Sequence, residues 1–245
     1  MDSALTTISL QGLVIAFLPV AVVLGIMLRW SAGAPTAVYA SLRMLAQLLL
    51  IGYVLVYIFE SDQPAFILAV LVLMLTVASW IAIRPLQNKH PQMYFNSLAA
   101  ISVGGILTLA LVSQVVISVE PWFSPRYVVP LAGMIFSGSM NTVSLAAERL
   151  QSEFDRSTPY LEARRIAFQA SMIPITNSLF AVGLVALPGM MTGQILSGVS
   201  PLVAAKYQIV VMTMLFGASG ISAALYLVLA NRGLQDTKRS AHQDG

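Results

Sequence analysis

The chain has 245 residues, 58% of them hydrophobic and only 9% charged. A soluble domain carries roughly 25% charged residues, so the composition excludes an ordinary soluble enzyme and places most of the chain in a lipid bilayer. The net charge of +3 comes from Lys and Arg clustered between apolar runs, which does not describe a nucleic-acid surface; the absence of Cys excludes disulfide, thiolate and iron–sulfur chemistry.

Seven apolar segments follow in chain order, at approximately Ile8–Leu28, Thr36–Phe59, Pro64–Ile83, Leu98–Val119, Tyr127–Leu145, Ile166–Leu187 and Tyr207–Leu229. Each is near the ~20 residues that cross a hydrocarbon core. The expected fold is all-α: a polytopic transmembrane bundle forming one domain over 1–245. The first segment is too long for a signal peptide and lacks its basic start. In the second, Arg43 and Gln47 lie one turn apart on one face; Arg43 sits two turns in, where snorkelling to the interface is the plain alternative. The fifth is the least apolar, because it carries Ser137, Ser139 and Asn141, and Gly133 with Ser137 gives it a small-xxx-small face.

Between the fifth and sixth segments lies a charged stretch, 146–165, with Glu148, Arg149, Glu153, Asp155, Arg156, Glu162, Arg164 and Arg165. Thr158-Pro159 predicts a helix start with Thr as N-cap and Pro at the first position. Glu162 then falls in the first turn, where the helix dipole favours a carboxylate. This short charged helix leads straight into the sixth segment and suits a docking surface for a soluble partner as well as a solvated connector. The sixth segment is interrupted by Pro174, Thr176, Asn177 and Ser178. After it come Pro188, Gly189, Met190, Met191, Gln194 and Gly198, a composition that predicts a sharp end at Pro188, a glycine at positive φ, and a re-entrant or hinge-like element. Met190 and Met191 can offer thioether ligands to a soft metal.

Orientation follows from the basic residues. Seven spans put the termini on opposite sides. One side then receives Arg29, Arg84, Lys89, Arg149, Arg156, Arg164, Arg165, Arg232, Lys238 and Arg239; the other receives Arg126 and Lys206, along with Asp2, Glu60, Asp62 and Glu120. The predicted topology is N-terminus outside, C-terminus in the cytoplasm.

The chemistry is sparse. No lysine follows a glycine, so there is no phosphate-binding loop and no nucleotide site. No Asp or Glu lies within an expected span, which counts against proton coupling. Gly217-Ala218-Ser219-Gly220 resembles the serine motif of intramembrane proteases, but the only histidines, His90 and His242, lie outside the spans, so no base is at hand. Close helix packing through Ala218 and Ser222 explains that stretch better. What remains is polar or irregular residues at depth: Arg43, Gln47, Ser137, Asn141, Asn177 and Ser178, with Pro188, Gly189 and Gln194 at one mouth. Such residues are tolerated only against protein or a water-filled cavity, so the second, fifth and sixth segments are expected to face a bundle interior or a pathway.

The segments RMLAQLLLIGYVLVYIF (43–59), VVPLAGMIFSGSMNTVSLAAERL (128–150) and IPITNSLFAVGLVALPGMMTGQILSGVSPLVAAKYQIVVMTML (173–215) closely resemble the FetB-type permease family. These are membrane subunits of ABC transporters assigned to iron export, with plant relatives linked to aluminium tolerance. The resemblance implies a multi-pass protein of the bacterial inner membrane, a separate ABC ATPase subunit that holds ATP and Mg, a permease homodimer, and an ATPase-coupling contact at Glu162, Ala163, Arg164 and Arg165. The chain departs from the family there: Glu162-Ala163-Arg164-Arg165 runs directly into Ile166, and the Leu-Ala-Leu-Gly-Ala-Ser-like run of the family is missing. The expected function is the permease subunit of an exporter for iron, another metal ion or a small solute. The alternatives are a stand-alone seven-helix channel or receptor, and a permease homologue that has lost coupling.

Overall fold

The computed structural model describes residues 9–60, 63–87 and 89–243, with side chains described as far as Asn231. The expected span start at Ile8, the outer acids Asp2 and Asp62, and the side chains of Arg232, Lys238, Arg239 and His242 lie outside the described residues. The chain divides into two compact units, Met1–Glu60 and Ser61–Gly245.

The first unit is built from α1 (Leu10–Ile15), α2 (Leu18–Arg29) and α3 (Ala34–Phe59). The Ser9 hydroxyl accepts the Gly12 N–H at 3.1 Å and caps α1; Pro19 and Pro35 open α2 and α3, where a missing N–H costs nothing. In α2 and α3 the only buried residues are Ala34 and Ile58. A surface so uniformly apolar needs lipid or another protein against it. Arg43 is half-buried and Gln47 exposed on α3.

The second unit holds α4 (Pro64–Ala82), α5 (Pro91–Ala110), a π-helical turn (Leu111–Val116), α6 (Pro125–Asp155), α7 (Tyr160–Ala181), α8 (Gly189–Leu196) and α9 (Pro201–Gln243). Its core joins α4, α5, α6 and α9 through Leu75, Ala78, Ile101, Ala132, Ile135, Val143, Met214 and Ala218. A second cluster, including Ala146, Leu150, Ala163, Ala167 and Leu227, seats α7. Lipid tails are as apolar as leucine, so helices in a bilayer associate through close packing. The small residues supply it here. A β-carbon at Gly104 would lie 3.0 Å from the Ser222 nitrogen and 3.1 Å from the Ala218 carbonyl oxygen; at Gly138 it would lie 3.2 Å from Leu215. Ala218, Ser219 and Ser222 are fully buried. The Gly217–Gly220 stretch is therefore a packing face, as expected.

Among the described residues, six helical stretches are long and apolar enough to cross a membrane: Leu10–Arg29, Ala34–Phe59, Pro64–Ala82, Pro91–Val116, Pro125–Asp155 and Pro201–Asn231. The sixth expected span is present as α7 but is not among them, because Arg164, Arg165, Gln169 and Asn177 dilute its hydropathy. Its 22 residues still measure on the order of 33 Å at ~1.5 Å per residue. It runs through Pro174 without a break and ends at Ala181, ahead of the expected Leu187. Gly183, at φ 84°, turns the chain there, and Val182 and Ala186 form an isolated bridge. Pro188 is the N-cap of α8 and Gly189 its first residue. The positive φ expected at Gly189 falls on Gly183 and Gly198 instead; glycine at 189 is not required by conformation or by space.

The expected loop of 146–165 is largely helical. α6 continues to Asp155 and α7 begins at Tyr160, leaving a tight turn. Thr158 does not cap α7: its hydroxyl donates to Glu153 Oε2 at 2.9 Å, and the N-cap is Pro159. Glu162 does lie in the first turn. Buried Glu153 holds the corner, accepting from Arg149 at 2.7 Å with Arg156 at 3.7 Å. Phe154 stacks on Tyr160, whose hydroxyl donates to the Leu227 carbonyl at 2.8 Å. The turn is thereby tied to α9.

Candidate transport site

The helix directions give the second unit two distinct ends. One end holds the α4–α5 connection, the α6–α7 turn and the Leu227 level of α9, with Arg84, Lys89, Arg149, Arg156, Arg164 and Arg165. The other holds the starts of α6 and α9, α8, and the end of the π-helical turn, with Arg126 and Lys206.

At this second end is a cleft of about 510 Å³. Arg126, Tyr127 and Met134 line it from α6, Met190 and Gln194 from α8, and Tyr207 from α9. The Oε1 of Gln194 is buried with no hydrogen-bond partner. Of the expected mouth residues, Met190 and Gln194 line the cleft; Met191, on the same short helix, does not, so the two thioethers do not converge there. Met134 is the second thioether of the cleft. Among the described residues no group of three or more His, Asp or Glu could hold a metal ion. Arg126, Tyr127 and Tyr207 were not apparent as site residues in the sequence, where Arg126 reads only as one of two basic residues on its side.

Pro130 and Met134, at the cleft, begin a longer feature. Arg126, Pro130, Met134, Ser137, Asn141, Ser144 and Glu148 succeed one another at intervals of three or four residues, so they share one face of α6. All are exposed or half-exposed, whereas Ala132, Ile135, Ser139, Val143, Ala146 and Leu150 on the opposite face are buried. From Arg126 to Glu148 the face is on the order of 33 Å long at ~1.5 Å per residue, the thickness of a hydrocarbon core. The Ser137 hydroxyl donates within its own helix, to the Met134 carbonyl at 3.1 Å. Asn177 and Ser178 are exposed on α7, the latter donating to the Pro174 carbonyl at 3.0 Å.

At the basic end, Arg164 and Arg165 line an open groove of about 420 Å³, together with Leu161, Phe168, Leu227 and Val228. Arg164 stands over the Tyr160 ring, 5.6 Å from its centroid. Ala163 is fully buried against α6 and α9, so it anchors the helix and is not a contact surface. Glu162 and Arg165 are exposed.

The profile described as "Uncharacterised protein family (UPF0014)" matches residues 10–166 and 156–234. The two matched parts overlap over residues 156–166, at the α6–α7 turn. Among curated relatives, the UPF0014 membrane protein slr1647 of Synechocystis is 37% identical over 201 residues, covering 75% of this chain and 77% of the relative. The probable iron export permease protein FetB of Escherichia coli is 33% identical over 212 residues, 80% of each chain. The protein ALUMINUM SENSITIVE 3 of Arabidopsis thaliana is 32% identical over 201 residues, 76% of this chain and 72% of the relative. No solved structure shows a significant match.

Proposed function

Because the chain belongs to the UPF0014 family of multi-pass membrane proteins, we propose that it is the permease subunit of an exporter for a metal ion or small solute. A separate ATP-binding subunit drives it, and two copies make up the membrane part in the bacterial inner membrane. The observation that carries this reading is the polar face of α6. Serine and asparagine exposed at bilayer depth are costly against lipid; a face that carries them from the cleft at one end to the charged turn at the other serves a water-filled path between helices. The orientation follows the basic residues: the Arg-rich α6–α7 turn lies in the cytoplasm and the cleft opens outside. The name of the FetB relative supports export of iron, and the lack of a nucleotide motif supports an ATPase on another chain.

The ATPase docks at the α6–α7 turn, with Arg164 and Arg165 as its charged contacts. The turn is rigid, through Glu153 and the Tyr160–Leu227 hydrogen bond, so a push there is passed along α7 and α9. Charge reversal, Arg164→Glu with Arg165→Glu, is expected to lower co-purification of the ATPase by about tenfold, a change of ~1.4 kcal/mol, with the wild-type contact weakening as salt rises. Proteoliposomes of the co-purified pair should show ATP-dependent efflux. Flux that is independent of ATP would instead make the chain a stand-alone channel.

A further inference from the structure

The cleft has an electrostatic character that goes deeper than the reading above, on which this inference rests. Among the described residues, Arg126 is the only charged one lining it, and no Asp, Glu or His is among them. Three helices begin at it: Arg126 and Tyr127 are in the first turn of α6, Met190 in that of α8, and Val203 in that of α9. Neither α6, α8 nor α9 has an acidic residue in its first turn, and neither α6 nor α8 has a side-chain cap. The positive ends of their dipoles therefore add to the guanidinium. Tyr127 and Tyr207 offer hydroxyl donors, and the unpartnered Oε1 of Gln194 offers an acceptor for a ligand hydroxyl.

Both charge and size speak against a bare cation. Iron and other hard cations take carboxylate and imidazole ligands, which the cleft lacks, and a positive field repels them. A volume of about 510 Å³ belongs to the range of small-molecule sites, roughly 300–1,000 Å³, and is far larger than one ion needs. We propose that the cleft binds its cargo as a small hydroxylated oxyanion. A metal is carried only when it is already wrapped in such an anion, as in a hydroxycarboxylate chelate. Arg126 pairs with the anionic groups, the two tyrosines donate to them, and Gln194 accepts from the hydroxyl.

The test is ligand binding to the purified full chain in nanodiscs, followed by calorimetry. The probes are citrate, ferric citrate, and ferrous ion in a non-coordinating buffer. Citrate and ferric citrate are expected to bind, and ferrous ion is not. Arg126→Gln should weaken both anions by about tenfold or more, as loss of a charge-assisted hydrogen bond requires. Arg126→Lys should retain most of the affinity, and Lys89→Gln, at the opposite end, all of it. A thermal melt of each variant separates lost binding from lost folding. Binding of ferrous ion without citrate, or anion binding that Arg126→Gln leaves unchanged, would overturn the proposal, as would failure of both anions to bind. The outcomes are separable from those for the exporter reading: ATP-driven efflux of a bare metal ion would leave the exporter standing and remove the anionic cargo. Anion binding without any ATP-driven flux would do the reverse.

Discussion

Gly104→Val is expected to remove folded protein from the membrane. At Gly104, α5 packs tightly against α9: an added β-carbon would meet the Ser222 hydroxyl, the Ser222 nitrogen at 3.0 Å and the Ala218 carbonyl oxygen at 3.1 Å. The hydroxyl can rotate away. The two backbone atoms can move only with the whole of α9, which also carries the contacts to α6 through Gly138, Leu215 and Ser219. Overpacking of a tight core costs about 1–3 kcal/mol per site, so Gly104→Ala should lower the melting temperature. Valine adds two more methyl groups to the same gap and should abolish accumulation. Gly193→Ala is the control, since a β-carbon there meets nothing within 4 Å; it should accumulate as the wild type does. The measurement is detergent-extracted, monodisperse protein per cell. Normal yield and melting of Gly104→Val would mean that α5 and α9 are not in contact at this point.

Asn141→Leu carries the largest expected effect on function. Asn141 is exposed near the middle of the α6 face, so a leucine of similar size leaves the core untouched. If the face lined lipid, the change would remove a costly polar group and leave transport alone. If the face lines a path, it places a branched apolar side chain among Ser137, Ser144 and Met134, and flux per folded molecule should fall by about tenfold, ~1.4 kcal/mol in the barrier. Asn141→Ser, which keeps a polar group, should retain a larger part. The sign of the effect on stability and on flux together distinguishes the two surroundings.

Much of this architecture is written locally in the chain. Pro64, Pro91 and Pro125 each open a helix, as their fixed φ and missing N–H require, and the small residues Gly104, Ala218 and Ser222 mark the closest packing. Glu162 sits in the first turn of α7, where its charge suits the dipole. The misreadings arise where a residue's partner or the chain's path is set outside the short motif in which it is read. Thr158 looks like a cap from its neighbours alone, but Glu153, five residues back, takes its hydroxyl. Pro188 looks like the end of a span, whereas the chain has already turned at Gly183. The cleft is the clearest case. Arg126, Gln194 and Tyr207 are far apart in sequence, and nothing in the spacing of residues says that three helix starts meet there. Met190 and Gln194 were visible as unusual residues, but the anionic preference of their surroundings appears only once Arg126 stands beside them. The α6 face lay between these limits: Ser137 and Asn141 were legible as polar residues at depth, and the continuity from Arg126 to Glu148 needed α6 to run unbroken to Asp155.

The most direct test of a water-filled path is single-cysteine accessibility along α6. The native chain has no cysteine, so each introduced thiol is the only one present. Cysteines at positions 130, 134, 137, 141, 144 and 148 would be reacted in native membranes with a small, charged, membrane-impermeant reagent, alongside buried controls at 135, 139, 143 and 146. The account predicts labelling at every position of the first set, including 137 and 141 at mid-depth, and protection at the second. Labelling confined to 130 and 148 at the two ends, with 137 and 141 as protected as the buried controls, would show that the face meets lipid or protein and would contradict it.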